Sequence, residues 1–204
     1  MERNELINKV KTRMDEVCAS GDVIVDVGVE NTKPYDSIID ELLDESALEV
    51  LLKAPIYRLH VTRATVSPMQ DSSDNKIGSI TIPDDFVRLV SFKMGEWKQP
   101  VTSFAIEGDE TARRQSNEHI RGGIAKPVAV LCKTDTGYYA KYYSVKSSHD
   151  VGDFLYIKSE KAENITDSQL IEIMSWICAG KTLGVLGEPA LSNQCYEEAK
   201  GLML

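Results

Sequence analysis

The stretch Gly78-Ser-Ile-Thr-Ile-Pro-Asp-Asp-Phe-Val-Arg-Leu-Val-Ser-Phe-Lys-Met-Gly-Glu-Trp97 decides the fold class. Its first part is a short β run that Pro83 closes, because proline cannot donate to a strand ladder. The second part predicts a longer strand over Phe86–Met94, with Phe86, Val90, Phe92 and Met94 on one face. Gly95-Glu96 suits a tight turn, and Trp97 opens a predicted return strand through Val101 toward Phe104.

Strand patterns continue on both sides. Upstream, Tyr57, Leu59 and Val61 alternate with Arg58, His60 and Thr62, the period of a half-buried strand. Pro68 to Asn75 reads as a polar loop. Downstream, Ile106 to Lys126 is polar, charged and glycine-bearing, a long loop of the kind that is functional or disordered. Three further strands are expected at Pro127–Cys132, Tyr138–Val145 and Phe154–Ser159. Turn chemistry separates them at Asp135-Thr-Gly137 and Asp150-Val-Gly-Asp153.

Helices flank this region. Leu6, Val10, Met14 and Val17 give residues 2–19 an apolar stripe, with Arg3, Lys9, Lys11 and Arg13 on other faces, and Ser20-Gly21 is the stop. Val23–Val29 reads as a short strand or extended linker. A second helix starts around Pro34 and Asp36, with Asp36 as the expected cap, and ends before Pro55. Ile38, Ile39, Leu42, Leu43, Leu48, Leu51 and Leu52 form its broad apolar stripe. Asp36, Asp40 and Asp44, joined by Glu41, Glu45 and Glu49, predict a solvated acidic face opposite. At the other end of the chain Thr166-x-x-Gln169 has the form of a capping box. Leu170 to Leu186 is apolar on several faces, Gly187 stops that helix, and Pro189 opens a last one. The expected fold is α+β: N-terminal helices and a C-terminal helix pair packed with an antiparallel β-sheet or small sandwich. One structural domain covers 1–204, with a helical N-terminal part at 1–53, a β part at 54–160 holding the loop 106–126, and C-terminal helices at 165–204.

The formal charge of −9 argues against nucleic-acid binding, which needs a basic face. No apolar run approaches the roughly 18–20 residues of a membrane span. The charged start, Met1-Glu2-Arg3-Asn4-Glu5, leads into a helix pattern and not a signal-peptide core, so the expected site of synthesis and assembly is a cytoplasm. Cys18, Cys132, Cys178 and Cys195 form no C-x-x-C pair and read as structural thiols. Ala179-Gly-Lys-Thr182 resembles the end of a phosphate loop but lacks the upstream glycine and sits inside a helix pattern. His60, His119 and His149 are isolated, and no nucleophile elbow or zinc motif is present. No catalytic residue, cofactor or metal ligand is expected. The candidate protein-interface residues are Arg113, Arg114 and Arg121 in the long loop, together with Trp97 beside the hairpin turn. Trp97 is open between an exposed contact and a core residue; Trp176, in the apolar helix, is read as core.

The Gly78–Trp97 stretch resembles the "glycine, β residues, Pro-x-Asp-Phe-x-Arg-Leu, then Trp" segment of head-to-tail adaptors of short-tailed phages, the ring proteins often called tail tubular protein A. Ile165–Leu170 through Leu183–Gly187, then Ala190–Leu202, is similar to their closing helix pair. Asn117 to Pro127 resembles versions from crAss-like gut phages and related prophages. The resemblance covers the helix–strands–helix order of nearly the whole chain through loose motifs. It implies a non-catalytic virion protein in a homo-oligomeric ring, usually of twelve copies, bound between the portal protein and other tail or ring proteins. Its helices would face the portal and its β region the tail, with DNA passing through unread and no membrane involved. The acidic second helix departs from that pattern.

Overall fold

The computed structural model describes residues 1–20, 32–135, 137–146 and 148–203. In chain order the elements begin with α1 (Arg3–Ser20), α2 (Thr32–Lys53), β1 (Thr62–Arg63), β2 (Pro68–Gln70) and β3 (Gly78–Thr81). Then follow β4 (Phe86–Met94), β5 (Ala105–Ile106), α3 (Glu110–Arg114), β6 (Ala129–Thr134) and β7 (Gly137–Tyr142). The chain closes with β8 (Val151–Lys158), α4 (Ser168–Val185) and α5 (Pro189–Met203). The fold is α+β, with the N-terminal helices and the C-terminal helix pair both present. It divides into a helical unit, Met1–Leu59 with Ser159–Leu204, and a β unit, His60–Lys158. The expected strand or linker at Val23–Val29 lies outside the described residues.

Helix α4 organises the helical unit. Leu170, Ile173, Met174, Trp176, Ile177, Cys178 and Leu183 are buried on faces all round it, and such a helix must be enclosed. It packs against α5, α2 and α1. Two glycines let α5 come close: a Cβ on Gly180 would sit 3.2 Å from the Ser192 carbonyl oxygen and 3.3 Å from Cys195 Cβ, and one on Gly184 3.4 Å from Ser192 Oγ. Ser192 Oγ donates to the Gly180 carbonyl at 2.7 Å. The Ala179-Gly-Lys-Thr182 run is thus explained by packing. Lys181, its cation, binds Glu45 at 2.8 Å and Glu49 at 3.1 Å. The α4 cap is Asp167, whose side chain accepts from the Gln169 and Leu170 N–H groups at 2.9 Å. This corrects the Thr166–Gln169 capping box: the Gln169 amide does not fold back but donates to the Leu202 carbonyl at 3.0 Å. Gly187, at φ +87°, ends the turn after α4.

The acidic side of α2 is also corrected. Helix α2 starts at Thr32, so Asp36 lies inside it and pairs with Lys11 of α1 instead of capping. Arg3 pairs with Asp40, donates to the Asp40 carbonyl at 2.6 Å and reaches Asp44 at 3.4 Å. Asp44 also accepts from the Ala162 N–H at 3.0 Å. Asp36, Asp40 and Asp44 are therefore the seam that holds α1, because the basic residues of α1 are within reach of them. Lys9 and Arg13 bind Glu172 of α4 at 2.9 and 2.7 Å, and Arg13 also lies 5.3 Å from the ring centroid of Trp176.

In the β unit β1, β8 and β4 form one antiparallel sheet. The second sheet has the order β2-β3-β7-β6-β5, antiparallel except for the β5–β6 pair. Ile80, Phe92, Met94, Trp97, Ala140, Tyr142, Phe154 and Tyr156, drawn from both sheets and the turn after β4, make one core. Phe92 lies at its centre, 5.2 Å from Trp97 and 5.7 Å from Phe154 by ring centroids. Strand β4 carries register shifts between Phe86 and Arg88 and between Leu89 and Ser91. Leu89, not Val90, is consequently buried with Phe92 and Met94, because a bulge breaks the two-residue alternation. Two expected strands are corrected. Beyond Pro55 the chain makes a short 3-10 turn over Ile56–Arg58 that leaves Tyr57 78% exposed. After Trp97 only Val101 bridges back to Phe92, while Lys98 N–H and the Gln99 amide bond the carbonyls of Ile124 and Ala125 at 2.8 and 2.6 Å.

Burial opposes the charge on Glu172, but the hydrogen bonds from Lys9 and Arg13 outweigh it and hold its carboxyl below the ordinary value. A depressed carboxylate stabilises the fold above its unfolded-state pKa of about 4.3, and that stability is lost as pH falls through the folded value. The helical unit is expected to lose urea resistance on acidification below about pH 4, and Glu172→Gln to flatten part of that slope. Helix circular dichroism between pH 3 and 7 checks this; an unchanged slope in the variant would refute it.

Candidate protein interface

The long loop expected over 106–126 is ordered by its own polar side chains. Asp109 Oδ2 accepts from the Ile106 N–H at 3.3 Å, and α3 begins one residue later. Gln115 is 3% exposed; its amide donates to the Thr111 carbonyl at 2.8 Å, and its oxygen accepts from Gly122 N–H at 2.8 Å. Gly122 has no room for a side chain, since a Cβ there would lie 2.7 Å from the Lys126 carbonyl and 2.8 Å from Val128 Cγ2. Asn117 turns the chain by accepting from His119 N–H at 3.0 Å.

The four candidate residues separate into two kinds. Trp97 is 2% exposed, packed edge-on against Phe92, so it is a core residue with no surface to offer a partner. Arg121 is a brace: its side chain is 6% exposed and donates twice to Asp74 Oδ2, at 3.0 Å each. Asp74 is held below the usual carboxylate range, first by the Lys76 N–H and then by Arg121. Arg113 and Arg114 are exposed on α3, and Arg114 pairs with Glu110 one turn back. The loop also exposes Ile106 (63%) and Ile120 (59%), which charge-based reading of the sequence passed over.

The helical unit has exposed apolar residues of its own. Leu48 and Leu52, expected in the apolar stripe of α2, are 38% and 46% exposed, whereas Ile39, Leu43, Ala47, Val50 and Leu51 are buried. The stripe spans more than one helix face, and only one of those faces is inside. Charge divides unevenly as well: the helical unit carries 20 Asp and Glu against 10 Lys and Arg, and the β unit 12 against 13.

Tyr142 and the half-buried His149 form a polar contact in the β unit. The Tyr142 hydroxyl lies 2.6 Å from His149 Nδ1, and His149 Nε2 lies 2.9 Å from the Asn75 carbonyl. A carbonyl only accepts, so Nε2 bears a proton, and in the neutral ring Nδ1 accepts from Tyr142. Burial pushes the Tyr142 hydroxyl up to about 12. It also pushes the Cys178 and Cys195 thiols to about 11 and about 12, against reactivity. An open groove of 460 Å³ runs past Ile82, Pro83, Phe86, Val87, Leu131 and Tyr138. Among the described residues no group of three or more His, Cys, Asp and Glu side chains is arranged to hold a metal, and no helix is long and apolar enough to cross a membrane. Comparison with protein-family models gave no match, and comparison with curated proteins gave none either.

Arg121→Ala is expected to cost about 2–4 kcal/mol, because it leaves Asp74 and Gln115's loop without their brace, the range discounted for the partial exposure of Asp74. Arg113→Ala should stay within about 0.5 kcal/mol. Urea unfolding separates the two; equal effects would show that Arg121 is no brace.

Proposed function

We propose that this chain is a non-catalytic structural subunit of a tailed-phage particle, forming an adaptor ring of about twelve copies between portal and tail. The observation that carries the reading is the division of the chain. Both chain ends build one helical unit, and the strand region, including the Gly78–Trp97 stretch, forms a second compact unit between them. That organisation suits a subunit that presents helices to one neighbour and a β surface to another, as the adaptor resemblance implies. The excess of acid over base in the helical unit supports a channel component that does not hold passing DNA. Closed rings need head-to-tail surfaces, and the exposed Arg113, Arg114, Ile106 and Ile120 are available for one of them. In this reading the protein is assembled in the host cytoplasm and resides in the neck of the virion.

Native mass of the purified protein, alone and mixed with purified portal, tests it. The expected result is a stoichiometric ring complex with portal. A protein that ignores portal and assembles only with tail components would be a different neck, tail or baseplate part.

A further inference from the structure

One face of α2 points away from the buried stripe and carries a defined pattern. Ser37, Glu41, Glu45, Leu48 and Leu52 are all exposed and recur every three or four residues, so they line one side of the helix. The acids occupy its N-terminal half and the leucines its C-terminal half. Ile56 and Tyr57, in the turn that follows, are 41% and 78% exposed. Helix α4 runs alongside: Lys181 bridges to Glu45 and Glu49, and Val185, one turn further on the same side of α4, is 64% exposed. Single exposed leucines are ordinary. A Leu pair at i, i+4 beyond an acidic half-face is the kind of surface that receives a helix.

We propose that this face docks an amphipathic helix of another protein, one with aliphatic residues at i, i+4 spacing flanked by Lys or Arg. Charge selects the occupant. The helical unit holds twice as many acidic as basic residues, so a second copy of it would bring like charge to Glu41 and Glu45. A basic helix meets no such penalty, and the unit already shows the chemistry: α1 lies on another edge of α2 through Arg3 and Lys11 on Asp36, Asp40 and Asp44. From Glu41 to Leu52 the face is about 16 Å long at about 1.5 Å per residue, so roughly three turns of partner helix cover it. The proposal rests on the adaptor reading only for the source of that helix, which would be the portal or a tail component.

The probe is a labelled synthetic Leu/Lys helix about 18 residues long, leucines at i, i+4 spacing, beside a peptide of the same composition in scrambled order. Fluorescence anisotropy measures both against the full chain. The ordered peptide should bind about tenfold tighter than the scrambled one, and Leu48→Asp/Leu52→Asp and Glu41→Lys should each weaken it about tenfold. The control Glu197→Lys/Glu198→Lys, on exposed α5 positions, should change it by less than about twofold. Leu48→Asp/Leu52→Asp makes the protein more acidic, so attraction by net charge alone predicts tighter binding and would overturn the proposal. So would equal binding of the scrambled peptide, or self-association that Leu48→Asp/Leu52→Asp abolishes, which would assign the face to a second copy. Face-specific peptide binding by a protein that ignores portal would sink the adaptor reading and leave this one. Portal binding with no face-specific peptide binding would do the reverse.

Discussion

Up to its last turn helix α4 has almost no face to give to water, and the helical unit is arranged by that constraint. Leu170, Ile173, Met174, Trp176, Ile177, Cys178 and Leu183 point in every direction around it, so α1, α2 and α5 must each cover part of its circumference. Burial of aliphatic and aromatic side chains on this scale is worth roughly 1.5–3 kcal/mol for each large residue. It draws both chain ends into one unit and leaves the strand region between them as a compact unit of its own. Gly180 and Ser192 bring α5 close, and Lys181 ties α4 to α2 where its surface becomes polar.

Once α4 is covered, charge sets how the covering helices meet. The helical unit carries a strong excess of acid, yet much of that acid is used internally. Asp36, Asp40 and Asp44 hold α1 through Lys11 and Arg3, and Glu172 holds it again through Lys9 and Arg13. These ion pairs are partly exposed, so each contributes modestly and together they fix orientation more than they add stability. Glu41 faces solvent on α2, on the same side as the partly exposed Leu48 and Leu52.

The β unit follows a different logic. Its core is aromatic and shared by two sheets, and Phe92 holds it together by contacts with Trp97, Phe154 and Tyr142. The polar loop after β5 is ordered by Gln115, Asn117 and Arg121, each satisfying main-chain or carboxylate groups. What the loop then presents is Arg113 and Arg114 with Ile106 and Ile120, a mixed surface on a braced support.

The sequence by itself determined the element types, through local signals. Glycine and proline bounded α4 and α5, Pro83 closed β3, turn residues set off β7, and the all-round apolar pattern of α4 announced a central helix. Local signals failed at three elements, through a sheet irregularity in one and competing local bonds in the other two. A bulge in β4 put Leu89 inwards in place of Val90, and the turn after Pro55 replaced a strand. Asp167 captured the cap expected from Thr166. The candidate surface was legible only in part: Arg113 and Arg114 are exposed as charged loop residues should be, but Arg121 and Trp97 are not. An arginine's sequence neighbours do not show that Asp74 waits 47 positions away, nor a tryptophan's that Phe92 will fold over it. Only the tertiary structure decided which of two apolar faces of α2 went inside, because burial depends on the direction from which α4 arrives, and no single helix encodes that.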